Sequence, residues 1–188
     1  GYGQTKSIFL RGTESNHTKV LINGVDLNPG TLGVPSIQHI SVDMIESIEI
    51  SKGSMSTLYG KDAIGGVINI ITKKNIDNKI SISTGTHNTK NIVYSGGINY
   101  MNHNVSTNIS RLESDSYKAK VASSKKHAYD TTNLDFNYVM TVGQSEVSTN
   151  YYKSIGNTEY DSFGSNLNQD HRDNHLKFNL KYVFASSY

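Results

Sequence analysis

Residues 43–74 read DMIESIEISKGSMSTLYGKDAIGGVINIITKK and carry the densest run of structural signals in the chain. Ile48 and Ile50 alternate with polar residues, which predicts a short strand at residues 46–51. Residues 54–59 predict a helix of one to two turns that Gly60 ends. The sequence VINIIT at 67–72 is typical of a buried strand. These short elements, with sharp breaks between them, indicate a compact domain of mixed structure.

The residues upstream extend the same pattern. SIFLRG at 7–12 predicts a short strand, and KVLINGVDL at 19–27 contains two apolar runs separated by Asn23 and Gly24. Asn-Gly between apolar runs is the strongest local signal for a β-hairpin, because both residues tolerate positive φ angles. We therefore predict one domain over residues 1–74, with the two lysines at 73–74 near its end.

The glycines of this region indicate turns and close approaches of the backbone. Gly65 and Gly66 lead directly into the strand predicted at 67–72. A glycine-rich phosphate loop is the alternative, but it requires a following Gly-Lys-Ser/Thr and a helix, and the sequence has neither.

Residues 75–188 alternate instead. Leu134, Phe136, Tyr138, Met140 and Val142 occupy every second position of one segment, and similar stripes occur at 92–100, 105–109 and 176–184. Segments of about ten residues with period 2 have the length that a tilted strand needs to cross a bilayer. A soluble antiparallel sandwich also alternates, so this pattern alone leaves both architectures open.

The predicted connections differ in length. Residues 102–103 form a tight turn, whereas 114–132 and 156–173 are long and rich in Tyr, Asp and Asn. Short turns on one side and long loops on the other are typical of outer-membrane barrels, and loops this long are uncommon in compact soluble domains.

Composition fits a barrel with a polar interior. The chain of 188 residues is 35% hydrophobic and carries a net charge of +2. That charge gives no support for nucleic-acid binding, and the absence of Cys excludes disulfides and thiolate metal sites. No Gly-x-Ser-x-Gly elbow is present, so we predict no enzyme activity. No apolar run is long enough for a membrane-spanning helix. No signal peptide is present and residue 1 is Gly, so we expect further sequence upstream.

SIFLRGTESNHTKVLINGVDLN at 7–28 and the stretch at 43–74 resemble the C-terminal part of the plug domain of TonB-dependent receptors. Within that class they look most like the cobalamin (vitamin B12) transporter subfamily. Residues 75–188 resemble the first barrel strands of the same subfamily, with gaps. The resemblance implies a β-rich membrane protein in the outer membrane of a Gram-negative bacterium. Residues 1–74 would be part of the plug and 75–188 about six antiparallel strands of a transmembrane barrel.

The resemblance implies active import driven by TonB, which would bind a segment upstream of this chain. The cargo would be cobalamin or a related corrinoid, with no covalent chemistry on it, and the barrel would contact outer-membrane lipid. A ferric siderophore, haem or a sugar is the alternative cargo. A passive porin would lack the plug-like region, and a soluble β-rich binding module or adhesin would need residues 7–74 to fold independently.

Five residues of this chain match positions that contact the cargo in the subfamily. Most of them differ in identity from the residues that the subfamily usually has there, so exposed loop residues without a cargo role are the alternative. Arg11 matches an Arg that would latch the plug to acidic groups of the barrel wall, against the alternative of a solvated Arg. The matched cargo positions are Thr5, Ser7, Glu14, Leu32 and Gly33.

The subfamily also places Ca²⁺ in early extracellular loops, and Asp130, Tyr160, Asp161 and Asp170 match those positions. Oxygen ligands on flexible loops suit Ca²⁺. Lys118 lies where a further Asp ligand is expected. Its positive charge would either take the place of one Ca²⁺ ion or abolish the site. Solvated loop carboxylates are the alternative, and no other cofactor is implied. A zinc site at His171 and His175 would need a helix, which their context does not predict.

Overall fold

The computed structural model describes residues 2–28, 33–74, 77–118, 126–162 and 165–182. The chain divides into two compact units, Gly1–Lys73 and Lys74–Tyr188. No helix in the described part of the chain has the length and apolar character needed to cross a membrane.

The regular elements of the first unit are β1 (Thr18–Ile22), β2 (Val25–Asp26), β3 (Ile45–Lys52), α1 (Ser56–Tyr59) and β4 (Gly66–Thr72). Its strands form a four-stranded sheet in the order β2-β1-β4-β3. β1 pairs in parallel with β4, while β2 and β3 are antiparallel to their neighbours. In the described part of this unit, 3₁₀ turns lie at Ser15–His17, Ile37–His39 and Val42–Met44.

The central strands hold the core of this unit. Every residue of β1 is buried, and Val20 packs with Ile68 and Ile70 of β4. The predicted hairpin is confirmed, because Asn23 and Gly24 connect β1 to β2 with φ angles of 50° and 81°. The strands predicted at 46–51 and 67–72 and the short helix ending before Gly60 are also confirmed.

The strand predicted at 7–12 is wrong. The Ile8 N–H donates to the Ser15 Oγ at 3.0 Å instead of to a neighbouring strand. The chain then turns, with the Thr13 N–H donating to the Leu10 carbonyl at 3.1 Å. Arg11 and Gly12 occupy the corners of this turn with φ angles of 54° and 76°, which no strand allows.

The strands of the second unit are β5 (Lys79–Gly85), β6 (Thr89–Tyr100), β7 (His103–Ser114), β8 (Tyr129–Val142), β9 (Ser145–Ser162) and β10 (Ser165–Lys181). They form a six-stranded sheet in which each strand pairs with the next, as the sequence predicts. Every pairing is antiparallel. Short connections separate β5 from β6, β6 from β7, β8 from β9 and β9 from β10, and residues 115–128 form a long connection between β7 and β8.

The two faces of this sheet have opposite chemistry. Paired residues align across the ladder, so Ile109 lies opposite Leu134, and Phe136 opposite Tyr151. We call this side the apolar face; it carries Ile92, Ile98, Ile109, Leu134, Phe136, Leu176 and Phe178, all partly or largely exposed. The other side, the polar face, buries Ser106, Asn108, Ser110, Asn133, Asp135 and Asn137. Exposed apolar and buried polar side chains are the pattern of a sheet that faces lipid hydrocarbon.

The long loop predicted at 156–173 is wrong. β9 continues to Ser162 and β10 begins at Ser165, and Ser154 still pairs with Asp173. The ladder is held by backbone hydrogen bonds, so it continues through polar residues where neither face needs an apolar stripe. The connection predicted at 114–132 is confirmed in part, because β7 ends at Ser114 and β8 begins at Tyr129.

Candidate functional site

The segments that carry the predicted cargo contacts meet around the 3₁₀ turn Ser15–His17. Ser7 precedes Ile8, whose N–H donates to the Ser15 Oγ, and Glu14 directly precedes the turn. Ser7 and Glu14 are both exposed. A hydroxyl and a carboxylate are therefore presented to solvent from two segments that a single hydrogen bond connects.

Gly33 is brought to the same turn. Its φ angle of 66° is left-handed, and a Cβ added there would lie 3.3 Å from the Asn16 Cβ. The Asn28 Nδ2 donates to the Gly33 carbonyl at 2.7 Å and also to the Thr18 carbonyl at 3.1 Å. The Asn28 side chain therefore fixes the backbone of Gly33 beside the start of β1.

The other two predicted cargo positions are not brought into this group. Thr5 is exposed and lies upstream of the segment that bonds to Ser15. Leu32 lies outside the described residues. The structure therefore groups Ser7, Glu14 and Gly33, and the cargo role of all five positions stays a prediction.

Arg11 lies in the turn that replaces the predicted strand. The Thr13 Oγ1 also donates to the Leu10 carbonyl, at 2.7 Å, so the turn is closed by a side chain as well as by the backbone. The Arg11 residue is exposed. The latch role of Arg11 stays a prediction.

The predicted calcium ligands fall into two places. Asp130 on β8 and Asp170 on β10 lie opposite the same residue of β9, Asn157, so all three share one row of the sheet. The Asn157 Nδ2 donates to the Asp170 Oδ1 at 2.8 Å. The Asp130 Oδ2 lies 3.6 Å from the Arg111 Nη1. Two carboxylates and one amide oxygen therefore line a single row.

Asp161 is engaged elsewhere. Its side chain is buried, and its Oδ2 lies 3.4 Å from the His127 Nε2. Tyr160 lies next to it and opposite Leu167. Among the described residues, no group of three or more His, Asp or Glu side chains is arranged to hold a metal ion. Lys118 is exposed, and the calcium role of these residues stays a prediction.

A polar network on the polar face was not predicted from sequence. Asp135 is fully buried, and its carboxylate accepts from the Asn137 Nδ2 at 2.8 Å and the Asn150 Nδ2 at 2.9 Å. The Asn108 Nδ2 donates to the same carboxylate at 3.3 Å. A buried carboxylate requires such donors, because an uncompensated charge is costly away from water. The sequence signal was the polar alternation along β8, but only the register joins the three amides.

Comparison with known proteins gives a consistent result in sequence and in fold. Residues 1–67 match the family described as the TonB-dependent receptor plug domain. The vitamin B12 transporter BtuB of Photobacterium profundum is 51% identical over 72 residues, which is 38% of this chain and 12% of that protein. The vitamin B12 transporter BtuB of Vibrio vulnificus is 32% identical over 198 residues, covering 93% of this chain and 32% of that protein. The chain thus spans about a third or less of these relatives.

Solved structures show the same fold. The copper transporter OprC superposes with a TM-score of 0.71 at 16% identity, over 94% of this chain and 28% of that chain. The siderophore receptor PiuA from Acinetobacter baumannii superposes with a TM-score of 0.56 at 21% identity, over 86% of this chain and 23% of that chain. At these identities the likeness concerns the fold alone.

Proposed function

Because the chain belongs to the TonB-dependent receptors of the outer membrane, we propose that it takes part in active import of cobalamin or a related corrinoid. The observation that carries this proposal is the likeness to vitamin B12 transporters, which reaches 51% identity over 72 residues. TonB is the proposed energy-coupling partner. The proposed action is binding and gating, with no covalent change to the cargo.

The grouping around the turn Ser15–His17 supports a cargo-binding surface. A corrinoid presents several amide side chains, which donate to carboxylates and accept from hydroxyls. The exposed Glu14 carboxylate and Ser7 hydroxyl offer these two partners. A few well-placed polar groups of this kind orient a ligand. Thr5, Leu32 and Gly33 would complete the surface.

Calcium would bind on the strands of the second unit. Asp130 and Asp170, which share a row with Asn157, offer hard oxygen ligands of the type Ca²⁺ prefers. Asp161 lies four residues along β9 from Asn157, and Tyr160 alternates to the other face of the sheet. These two residues would therefore belong to a separate group, in which the Asp161 carboxylate exchanges its His127 partner for the ion. Arg11 would act as the latch of the plug.

Binding of cyanocobalamin to the full-length receptor in detergent, with and without Ca²⁺, tests the proposal. We expect tight binding that Ca²⁺ strengthens. The Glu14→Gln variant should bind about tenfold more weakly, since a charge-assisted hydrogen bond contributes about 1.5–3 kcal/mol. Glu46→Gln is the matched control, because Glu46 is an exposed Glu of the same unit on β3.

The outcomes separate cargo from site. Tight binding with equal loss in both variants would keep the corrinoid and remove Glu14 from the site. Tight binding with the same affinity in the presence and absence of Ca²⁺ would contradict the calcium proposal alone. No cyanocobalamin binding in either condition would overturn the corrinoid assignment, and ferric siderophores and haem would then be titrated in the same way.

A further inference from the structure

The sequence contains a single Asn-Gly pair, Asn23-Gly24, and this pair forms the corner of the β1–β2 hairpin. Asn-Gly is the pair in which an asparagine side chain loses its amide most readily. The reason is that glycine has no Cβ to hinder attack by its own nitrogen on the side chain that precedes it. The pair is therefore reactive in an unfolded chain, and the contacts of the hairpin decide whether it reacts in the folded one.

Deamidation of this pair is an intramolecular substitution followed by hydrolysis, and water is its only co-reactant. The Gly24 nitrogen loses its proton to solvent and forms a bond to the Asn23 Cγ. The bond from that carbon to Nδ2 breaks, and the side-chain nitrogen takes up a proton and leaves as ammonia. Water then opens the cyclic imide at either carbonyl. The product is aspartate, or isoaspartate, in which the main chain runs through the former side chain.

A side chain of β4 holds the attacking nitrogen. The Gly24 N–H donates to the Asn69 Oδ1 at 2.9 Å, and the Asn69 Nδ2 donates to the Glu49 Oε2 at 3.0 Å. Glu49 on β3 therefore orients the Asn69 amide so that its oxygen is directed at the hairpin corner. In this bond the Gly24 nitrogen keeps its proton and its N–H is directed at Asn69, whereas the reaction needs a deprotonated nitrogen directed at the Asn23 Cγ.

The same strand holds the group that is attacked. The Asn23 Oδ1 accepts from the Thr72 N–H at 3.0 Å, and the Asn23 Nδ2 donates to the Thr72 Oγ1 at 2.8 Å. The Asn23 backbone N–H donates to the Ile70 carbonyl at 2.8 Å. Asn23 is only 8% exposed, so turning its side chain toward Gly24 would break two buried hydrogen bonds. Both reacting groups are therefore fixed by contacts with β4.

We infer that Asn23 is a deamidation site that β4 protects, and that it reacts only when the β1–β2 hairpin separates from β4. The rate of the reaction then follows the fraction of time that the hairpin spends open, as it does for other chemistry on a transiently opened state. This inference is independent of the cargo.

The modification would leave a lasting change in the hairpin. Isoaspartate adds one carbon to the main chain at the corner of a two-residue turn, and the length of such a turn fixes the register of its two strands. The pairing of Leu21 with Asp26 and of Ile22 with Val25 would then be lost. The modified fraction of the protein therefore records how often this sheet has opened.

The test follows deamidation of Asn23 in the full-length receptor in a non-ionic detergent, at mildly alkaline pH and in water enriched in heavy oxygen. The heavy oxygen labels only the molecules that react during the incubation, and mass spectrometry of the peptide that contains Asn23 measures them. The reference is the same receptor after heating in sodium dodecyl sulfate, incubated at the same temperature. We expect the folded receptor to react at least about a hundredfold more slowly, since a paired sheet opens rarely. This comparison needs no variant.

Removing the contacts with β4 should speed the reaction in the folded receptor. Asn69→Ala removes the acceptor of the Gly24 N–H, and Thr72→Val removes the hydroxyl that accepts from Asn23 while keeping a branched side chain. Each variant should deamidate about fivefold faster than wild type, the factor that corresponds to one net hydrogen bond. Thr57→Val is the matched control, because Thr57 is exposed on α1, and it should keep the wild-type rate. Heat-shifted migration in gels confirms that each variant is folded.

Three outcomes would overturn the inference. The first is a folded wild-type receptor that deamidates at Asn23 as fast as the denatured one. The second is a wild-type rate in both folded variants, Asn69→Ala and Thr72→Val. The third is an equal increase in the Thr57→Val control, which would show an effect of general destabilisation instead of the contacts with β4.

Discussion

Asn23 and Thr72 exchange two hydrogen bonds across 49 positions of sequence. The Thr72 N–H donates to the Asn23 Oδ1 at 3.0 Å, and the Asn23 Nδ2 donates to the Thr72 Oγ1 at 2.8 Å. Both residues are buried. Asn23 is also the first corner of the β1–β2 hairpin, with a φ angle of 50°. One side chain thus connects the hairpin to the end of β4.

Replacing Asn23 should destabilise the four-stranded sheet of the first unit. Asn23→Ala leaves a buried N–H and a hydroxyl without this partner and places Ala in a left-handed conformation, at a cost of about 2–4 kcal/mol. Hydrogen exchange of the peptide containing Thr72, measured by mass spectrometry on the full-length receptor, should speed up. Asn23→Gly keeps the conformation and loses only the bonds, so it should fall between Ala and wild type. Unchanged exchange in Asn23→Ala would show that the bonds add nothing.

Gly66 should tolerate no side chain. Its φ angle is 148°, and an added Cβ would collide with the Ser51 carbonyl oxygen on the neighbouring strand. Gly66→Ala should therefore destabilise the β3–β4 pair by about 3 kcal/mol or more, from strain and overpacking together. Hydrogen exchange in residues 45–52 is the measurement.

Gly60→Ala is the control for this prediction. Gly60 also has a positive φ angle, 85°, but no atom lies within 4 Å of its added Cβ. With a ψ angle of −168°, Gly60 has a backbone conformation that is essentially restricted to glycine, so only that strain of about 1–3 kcal/mol applies there. Equal effects at the two positions would show that the collision at Gly66 relaxes without cost.

Local signals predicted most of the fold. The signal for the hairpin lies within two residues, Asn23 and Gly24, and the signal for a strand lies in the alternation from Leu134 to Val142. The structure has both elements. The loop predicted at 156–173 is wrong because a strand with polar residues on both faces resembles a loop in sequence. The strand predicted at 7–12 is wrong for another reason. The Ile8 N–H donates to the Ser15 Oγ, a tertiary contact that an apolar run in the sequence does not indicate.

The site was less predictable than the fold. Asn108 and Asp135 meet only because β7 and β8 align in one register, and a shift of one residue would separate them. Asp130 and Asp170 share a row because Asn157 lies between them, and the pairing of three strands fixes that. The sequence named these two Asp residues through a resemblance, without indicating that they align.

The Asp135 network should stabilise the barrel strands that it joins. Asp135→Asn keeps the size of the side chain but turns an NH₂ group toward at least one of the amides of Asn108, Asn137 and Asn150. We expect a loss of about 2–4 kcal/mol, because buried donors are left facing a donor. The temperature at which the folded band is lost in gels should fall. Asp77→Asn, at an exposed Asp of the same unit, should leave that temperature unchanged.

Lys118 gives the sharpest test of the calcium proposal. If the cation at this position replaces an ion or weakens its binding, Lys118→Asp adds a carboxylate where the subfamily has one and removes a positive charge. Calcium affinity should then rise about tenfold or more, since ligand charge sets the affinity of such sites. Isothermal titration of the full-length receptor with calcium chloride measures this. Lys126→Asp makes the same charge change in the same connection, where Lys126 forms an ion pair with Asp115 at 3.5 Å. An equal gain in both variants would indicate general electrostatics, and no gain in Lys118→Asp would remove Lys118 from the calcium proposal.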